Sequence, residues 1–202
     1  MNYPQFETEG VFDIPILEPC RYRLVEFVGF NYARTAKQKD EKGIHFFLDD
    51  YQFERLWREP MAYIEVLSQY RFVMTPDFSL YMDYPKALQI YNHWRKHWLG
   101  ALWQTCGMQV IPTVAWSDKD SYKWCFDGTP KHGTIAVSSV GTQNNKQAKA
   151  AFLDGWFACI DRLEPETIIF YGTIPDECKG NIVRIRAFQE KFKELTADGW
   201  QR

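Results

Sequence analysis

At 202 residues, 46% of them hydrophobic, the chain is long enough to bury a full core as one domain, and it is too apolar to be disordered. Its net charge of −2 supplies no overall attraction to nucleic acid or anionic lipid, so polyanion binding would need a local basic patch. No apolar run approaches the roughly 20 residues of a membrane-spanning helix, and the polar, acidic start MNYPQFETEGVFD is unlike a secretory signal. The five cysteines (Cys20, Cys106, Cys125, Cys159 and Cys178) are odd in number, widely spaced and never in a CxxC pair. That pattern predicts buried free thiols in a reducing cytoplasm, not a disulfide framework or a zinc knuckle.

Residues 1–20 read as an arm in which Pro15 and Pro19 forbid a helix. A first strand is predicted at 24–28. Residues 29–43 form a long loop, locally basic through Arg34, Lys37, Lys39 and Lys42: a solvated excursion, or a lid over an anion. Ile44-His45-Phe46-Phe47-Leu48 is the second strand and runs into Asp49-Asp50. Residues 51–70 follow with helical period, broken at Pro60. Phe72-Val73-Met74 is the third strand. It ends in Thr75-Pro76-Asp77-Phe78-Ser79, before a long helix that starts near Pro85 with Asp83 as its cap and Gly107 as its C-terminal stop.

On that helix Ala87, Leu88, Tyr91, Trp94, Trp98 and Leu102 form an apolar stripe. His93 and His97 share a face and read as a surface pair, since the sequence lacks the glutamate of HExxH. Arg95 reads as a structural ion pair or an anion ligand. A fourth strand spans 110–116, with Pro112 signalling a bulge or a later start. Strands at 134–138 and 167–171 flank a helix capped at Asn144-Asn145, and a last helix is predicted over 181–195.

Strand then helix recurs about every 30 residues, and the strands are apolar throughout. That predicts an α/β fold: a mostly parallel sheet of about six strands in repeated βα units, open or curled toward a partial barrel. Ligands in such folds sit at the carboxyl ends of the strands. Those ends supply Asp49, Asp77, Ser79 and Tyr171 as catalytic candidates. Asp49 and Asp77 would act as acid–base groups or as ligands for Mg²⁺ or Mn²⁺. Ser138, Ser139, Arg95, Trp116 and Arg34 are candidates for substrate binding, with Ser138 to Thr142 resembling a phosphate-cradling turn before a helix. The alternative is that Asp49, Asp77 and Asp118 simply cap helices. Cys125, with His132 nearby in the chain, reads as an inert thiol more readily than as a nucleophile.

The blocks Asp77-Phe78-Ser79-Leu80-Tyr81, Gly100-Ala101-Leu102-Trp103-Gln104, Val110-Ile111-Pro112-Thr113, Cys125-Phe126-Asp127-Gly128, Ala136-Val137-Ser138-Ser139-Val140-Gly141 and Ile169-Phe170-Tyr171-Gly172 resemble those of a domain-of-unknown-function family carried by phages, prophages and plasmids of Gram-positive bacteria. The resemblance runs from about Ile14 to Leu195. It implies a mobile-element protein working inside a bacterial cell, and it carries no activity, substrate or site residue. Two functions stay open. One is an enzyme, such as a hydrolase, acting on a phosphorylated small molecule, a nucleotide or a nucleic-acid end. The other is a non-catalytic factor that binds a host or phage protein, for replication takeover or anti-defence, and has no membrane partner.

Overall fold

A computed structural model describes residues 5–143 and 145–187. Two short strands, β1 (Thr8–Glu9) and β2 (Ile14–Pro15), pair antiparallel. Seven parallel strands follow: β3 (Glu26–Gly29), β4 (Lys42–His45), β5 (Phe72–Met74), β6 (Val110–Ile111), β7 (Thr134–Ser138), β8 (Thr167–Tyr171) and β9 (Ile182–Ile185). The order β3-β4-β5-β6 makes one sheet and β7-β8-β9 another. A parallel bridge from Thr113 to Ala136 joins the two.

Pro112 explains the join. Lacking an N–H, it ends the β5–β6 ladder, and its carbonyl accepts instead from Ala136 N at 2.9 Å. The Thr75 hydroxyl takes over on the other side, accepting from Thr113 N at 2.8 Å.

The sheet curls. β4 and β8 are four steps apart in the strand order, about 19 Å in a flat sheet. Yet His45, the last residue of β4, and nearby Phe47 place their rings 5.0 and 4.8 Å from that of Tyr171 at the end of β8. The architecture is therefore α/β and partial-barrel-like, with side chains filling the inside of the curl.

Among the described residues four α-helices cover the sheet: α1 (Glu54–Arg58), α2 (Ile64–Leu67), α3 (Lys86–Thr105) and α4 (Lys146–Leu163). The break at Pro60 falls between α1 and α2, where a 3-10 turn intervenes. Asn145 caps α4, its Oδ1 accepting from Ala148 N at 2.7 Å. Gly107, with φ +81°, stops α3 by donating to the Gln104 carbonyl at 2.9 Å.

Several expectations need correction. The N-cap of α3 is Pro85 and makes no side-chain cap bond, so Asp83 is not the cap. Ile182–Ile185 is a strand, not the start of a helix over 181–195, because its β-branched residues extend the sheet beside β8. The rest of that predicted helix, residues 188–195, lies outside the described residues. The arm over 1–20 is no free arm. Its β2 runs along α3, where His97 Nδ1 donates to the Pro15 carbonyl at 3.0 Å. Gln104 exchanges two bonds with the Glu18 backbone, at 2.9 and 3.0 Å.

That cover buries α3 on nearly every side. Gln89, Asn92, His93, Arg95, Lys96 and His97 are all buried. The two histidines are fully enclosed, with rings 4.5 Å apart, and are not a surface pair.

Candidate functional site

A cleft of about 850 Å³ opens at the carboxyl ends of the parallel strands. Its floor is aromatic, built from Phe47 and Tyr171, with Phe78, Trp116 and Phe152 in the walls. The lining charges among the described residues are Glu26, Asp49 and Asp77 against Arg186. Tyr32, Tyr81 and Met82 stand more than half exposed and also line it.

Asp77 sits at the point where β5 gives way to irregular chain, and the flanking residues are pinned. The Asp50 carboxylate accepts from Ser79 N at 3.1 Å and from its hydroxyl at 2.9 Å. Asn92 of α3 donates to the Ser79 carbonyl at 2.8 Å. Arg95 Nε donates to Asn92 Oδ1 at 3.1 Å. The Arg95 guanidinium lies 3.6 Å from the Phe78 ring centroid, and its Nη1 reaches both Glu54 carboxylate oxygens at 2.8 and 2.9 Å. These contacts fix Phe78 and Ser79, and with them the stretch of chain that carries Asp77 in the cleft wall.

Burial pushes the Asp77 carboxyl up to about 7; the nearby Lys96 cation opposes the rise and Asp50 adds to it. Such a carboxyl exchanges a proton near neutral pH. Lys96, one layer deeper, is pushed down by burial, and its Nζ has no hydrogen-bond partner among the described residues. Burial also lowers both histidines, His97 to about 3, so they are neutral. His93 Nε2 donates to the Asp127 carbonyl at 3.1 Å.

The cleft brings together Asp49, Asp77, Ser79, Trp116, Ser138 and Tyr171. Three other candidates lie elsewhere. Arg95 faces Glu54 and Phe78 in an ion pair and does not line the cleft. Ser139 is buried and donates to the Thr173 carbonyl at 2.6 Å. Arg34 lines a separate depression of about 260 Å³ with Lys39 and Glu65, its guanidinium 5.6 Å from the Tyr63 ring centroid. The basic loop therefore contributes only Gly29, Asn31 and Tyr32 to the cleft.

The phosphate-cradle expectation for residues 138–142 also changes. The N–H groups of Ser139, Val140 and Thr142 already donate to Tyr171 O, Ser138 Oγ and Ser139 O. Asp49 and Asp77 both line the cleft, and no group of three or more His, Cys, Asp or Glu among the described residues is placed to hold an ion. Asp49 makes no helix-cap bond, whereas Asp118 does cap, accepting from Ser121 N at 3.0 Å. Cys125 is a buried thiol pushed up to about 12, which removes it as a nucleophile.

Sequence reasoning does not reach His45 or Lys96. His45 lies inside a predicted strand, and Lys96 sits on a helix whose tryptophans assign the buried side.

No described helix is long and apolar enough to cross a membrane. No solved structure matches the chain. Two mycobacteriophage proteins, each named Gene 1 protein, are similar to it. The one from phage L5 is 35% identical over 200 residues, covering 96% of this chain and 87% of the relative. The one from phage D29 is 32% identical over 200 residues, covering 96% and 74%. Residues 6–189 match a domain of unknown function, DUF4417, and the chain belongs to that family.

Proposed function

We propose that the cleft is the active site of a cytoplasmic, phage-type enzyme that takes a nucleotide or a nucleic-acid end and works on it by acid–base chemistry. The observation that carries this reading is Asp77: a carboxyl set into the wall of a strand-end cleft, beside the pinned Ser79, which burial pushes up to about 7. A hydrolytic step needs such a group to take a proton from water or give one to a leaving group.

The aromatic floor and walls suit the flat face of a base. Three acidic lining residues against Arg186 favour a base-first grip, with any phosphate directed to the Arg186 side and the first turn of α4, which Ala148 brings to the cleft. The four buried cysteines fit a reducing compartment.

The exposed Tyr32, Tyr81 and Met82 around the same cleft favour a second reading, a docking face for a host or phage protein. None of the seven tryptophans among the described residues is exposed, which weighs against it.

The test is a thermal-shift and turnover screen with nucleosides, nucleotides, sugar phosphates and short oligonucleotides, each with and without Mg²⁺ or Mn²⁺. Ligand at a hundred times its dissociation constant stabilises the fold by about 2.7 kcal/mol. Turnover of one substrate class, abolished in Asp77→Asn with the fold intact, is the expected result. Turnover that survives Asp77→Asn, or no shift with any probe, refutes it.

A further inference from the structure

Thr75, Asp77 and Ser79 alternate along a segment that runs from Thr75 to Tyr81 without helix, turn or bend. Two contacts set its register against α3. Gly100 lies so near Thr75 that a β-carbon there would stand 2.8 Å from the threonine methyl. Asn92 donates to the Ser79 carbonyl at 2.8 Å. Eight residues of helix separate Gly100 from Asn92, about 12 Å. Four residues of extended chain separate Thr75 from Ser79, about 13 Å. The two lengths match, so their midpoints, Lys96 and Asp77, face each other. Lys96 is 1% exposed and does not itself line the cleft.

We propose that Lys96 is a positioning residue for Asp77: its buried ammonium group, which makes no hydrogen bond among the described residues, acts on the Asp77 carboxylate through charge across the gap between them and supports proton exchange between that carboxylate and a bound ligand. This role rests on the acid–base reading of the cleft. In the step, the Asp77 carboxylate takes a proton from the ligand or from water, Lys96 keeps its own three, and Asp77 later gives its proton to product or solvent through the cleft.

The other titratable groups around the pair are Asp50 from the turn after β4, His93 and His97 on α3, and Cys125 from the segment packed against α3. The histidines and Cys125 are neutral, and Asp50 is engaged by Ser79. Lys96 is thus the cation that Asp77 meets.

The test follows the Asp77 carboxyl carbon by NMR through a pH titration of the full chain, without ligand. In Lys96→Met, which keeps the side-chain length and removes the charge, the Asp77 midpoint rises by roughly one to three pH units. In Asp77→Asn, the Lys96 midpoint falls by a comparable amount, because the coupling is reciprocal. If a buried variant does not fold, the wild-type protein decides: the Lys96 Nζ resonance must shift at the Asp77 midpoint. An Asp77 midpoint unmoved in folded Lys96→Met, or a Lys96 resonance blind to Asp77, overturns the proposal. None of these readouts needs a substrate. Coupling without turnover therefore refutes the acid–base reading of the cleft, and turnover without coupling refutes the role of Lys96.

Discussion

Arg95→Met tests how the site is held. The guanidinium is 8% exposed and makes three contacts that methionine cannot replace, while the methionine stem keeps the packing. Removing one partner of a buried pair costs about 3–5 kcal/mol. Glu54 is 29% exposed and can turn to water, so a cost below that range, about 2 kcal/mol, applies here. The contact with Phe78 contributes about 1 kcal/mol. Asn92 Oδ1 loses its donor at a cost of about 1 kcal/mol. The sum is about 4 kcal/mol. At about 2–4 °C per kcal/mol for a chain of this size, Tm falls by roughly 8–16 °C.

Glu54→Gln keeps a neutral acceptor for Arg95 and should lose only about 1 kcal/mol. Calorimetry or a thermal melt reads both variants. In Arg95→Met the loop of Asp77 also loosens, so amide exchange at Phe78 and Ser79 speeds up more than at β8. A Tm loss under about 2 °C, or equal losses in Arg95→Met and Glu54→Gln, would show that the network does not hold the loop.

Two further variants probe the walls and the buried helix. In Gly155→Ala on α4, helix propensity alone predicts a gain of about 1 kcal/mol. A β-carbon there overlaps the Trp116 indole, however, and overpacking costs about 1–3 kcal/mol. The expected result is an unchanged or lower Tm with altered tryptophan fluorescence, as Trp116 is displaced from the cleft wall; a higher Tm with unchanged fluorescence would refute the overlap. In His97→Gln the readout is the acid limb of stability. The folded His97 is lowered to about 3, below its unfolded value near 6.5, so the unfolded chain binds the extra proton between those limits. Stability from this group is complete above pH 6.5 and is lost as pH falls toward 3, by about 1.4 kcal/mol per pH unit. Denaturant titrations at pH 6, 5 and 4 should show the wild type losing close to that much more per unit than His97→Gln; parallel pH profiles would contradict the burial of His97.

Three strands, Phe72–Met74, Thr134–Ser138 and Thr167–Tyr171, have the bounds that their apolar runs predict. A run apolar throughout has one reading when turn residues bound it, and that reading also placed the rim from which the cleft is built. The α3 interior was not legible in the same way. Periodicity assigns a helix one buried face, and the Trp94–Trp98 stripe supplied it. The ribbon of β1 and β2 then covers a second face, which no local pattern announces, because its pairing with α3 joins residues more than 80 positions apart. The burial of His93, Lys96 and His97 has no local signal for that reason. Ile182–Ile185 falls within a predicted helix because four residues are too few to separate a strand period from a helix period.

The polar stripe of α3 bears on function through its energetic cost. Gln89, His93 and Lys96 each bury a polar atom with no partner among the described residues, and each such atom costs about 1–3 kcal/mol. A helix that served only to cover the sheet would hold leucine or alanine there, and replacing a buried charged pair by apolar residues is often neutral or stabilising. The stripe is therefore poor material for stability. Its one charged member faces the carboxyl that lines the cleft, and the residues one turn to either side, Asn92 and Gly100, contact the same segment. Departures from local consistency are expected where function is served, and this stripe lies beside the strand-end cleft. The same departure makes the double variant Asp77→Asn, Lys96→Met more stable than either single variant if the two groups serve each other.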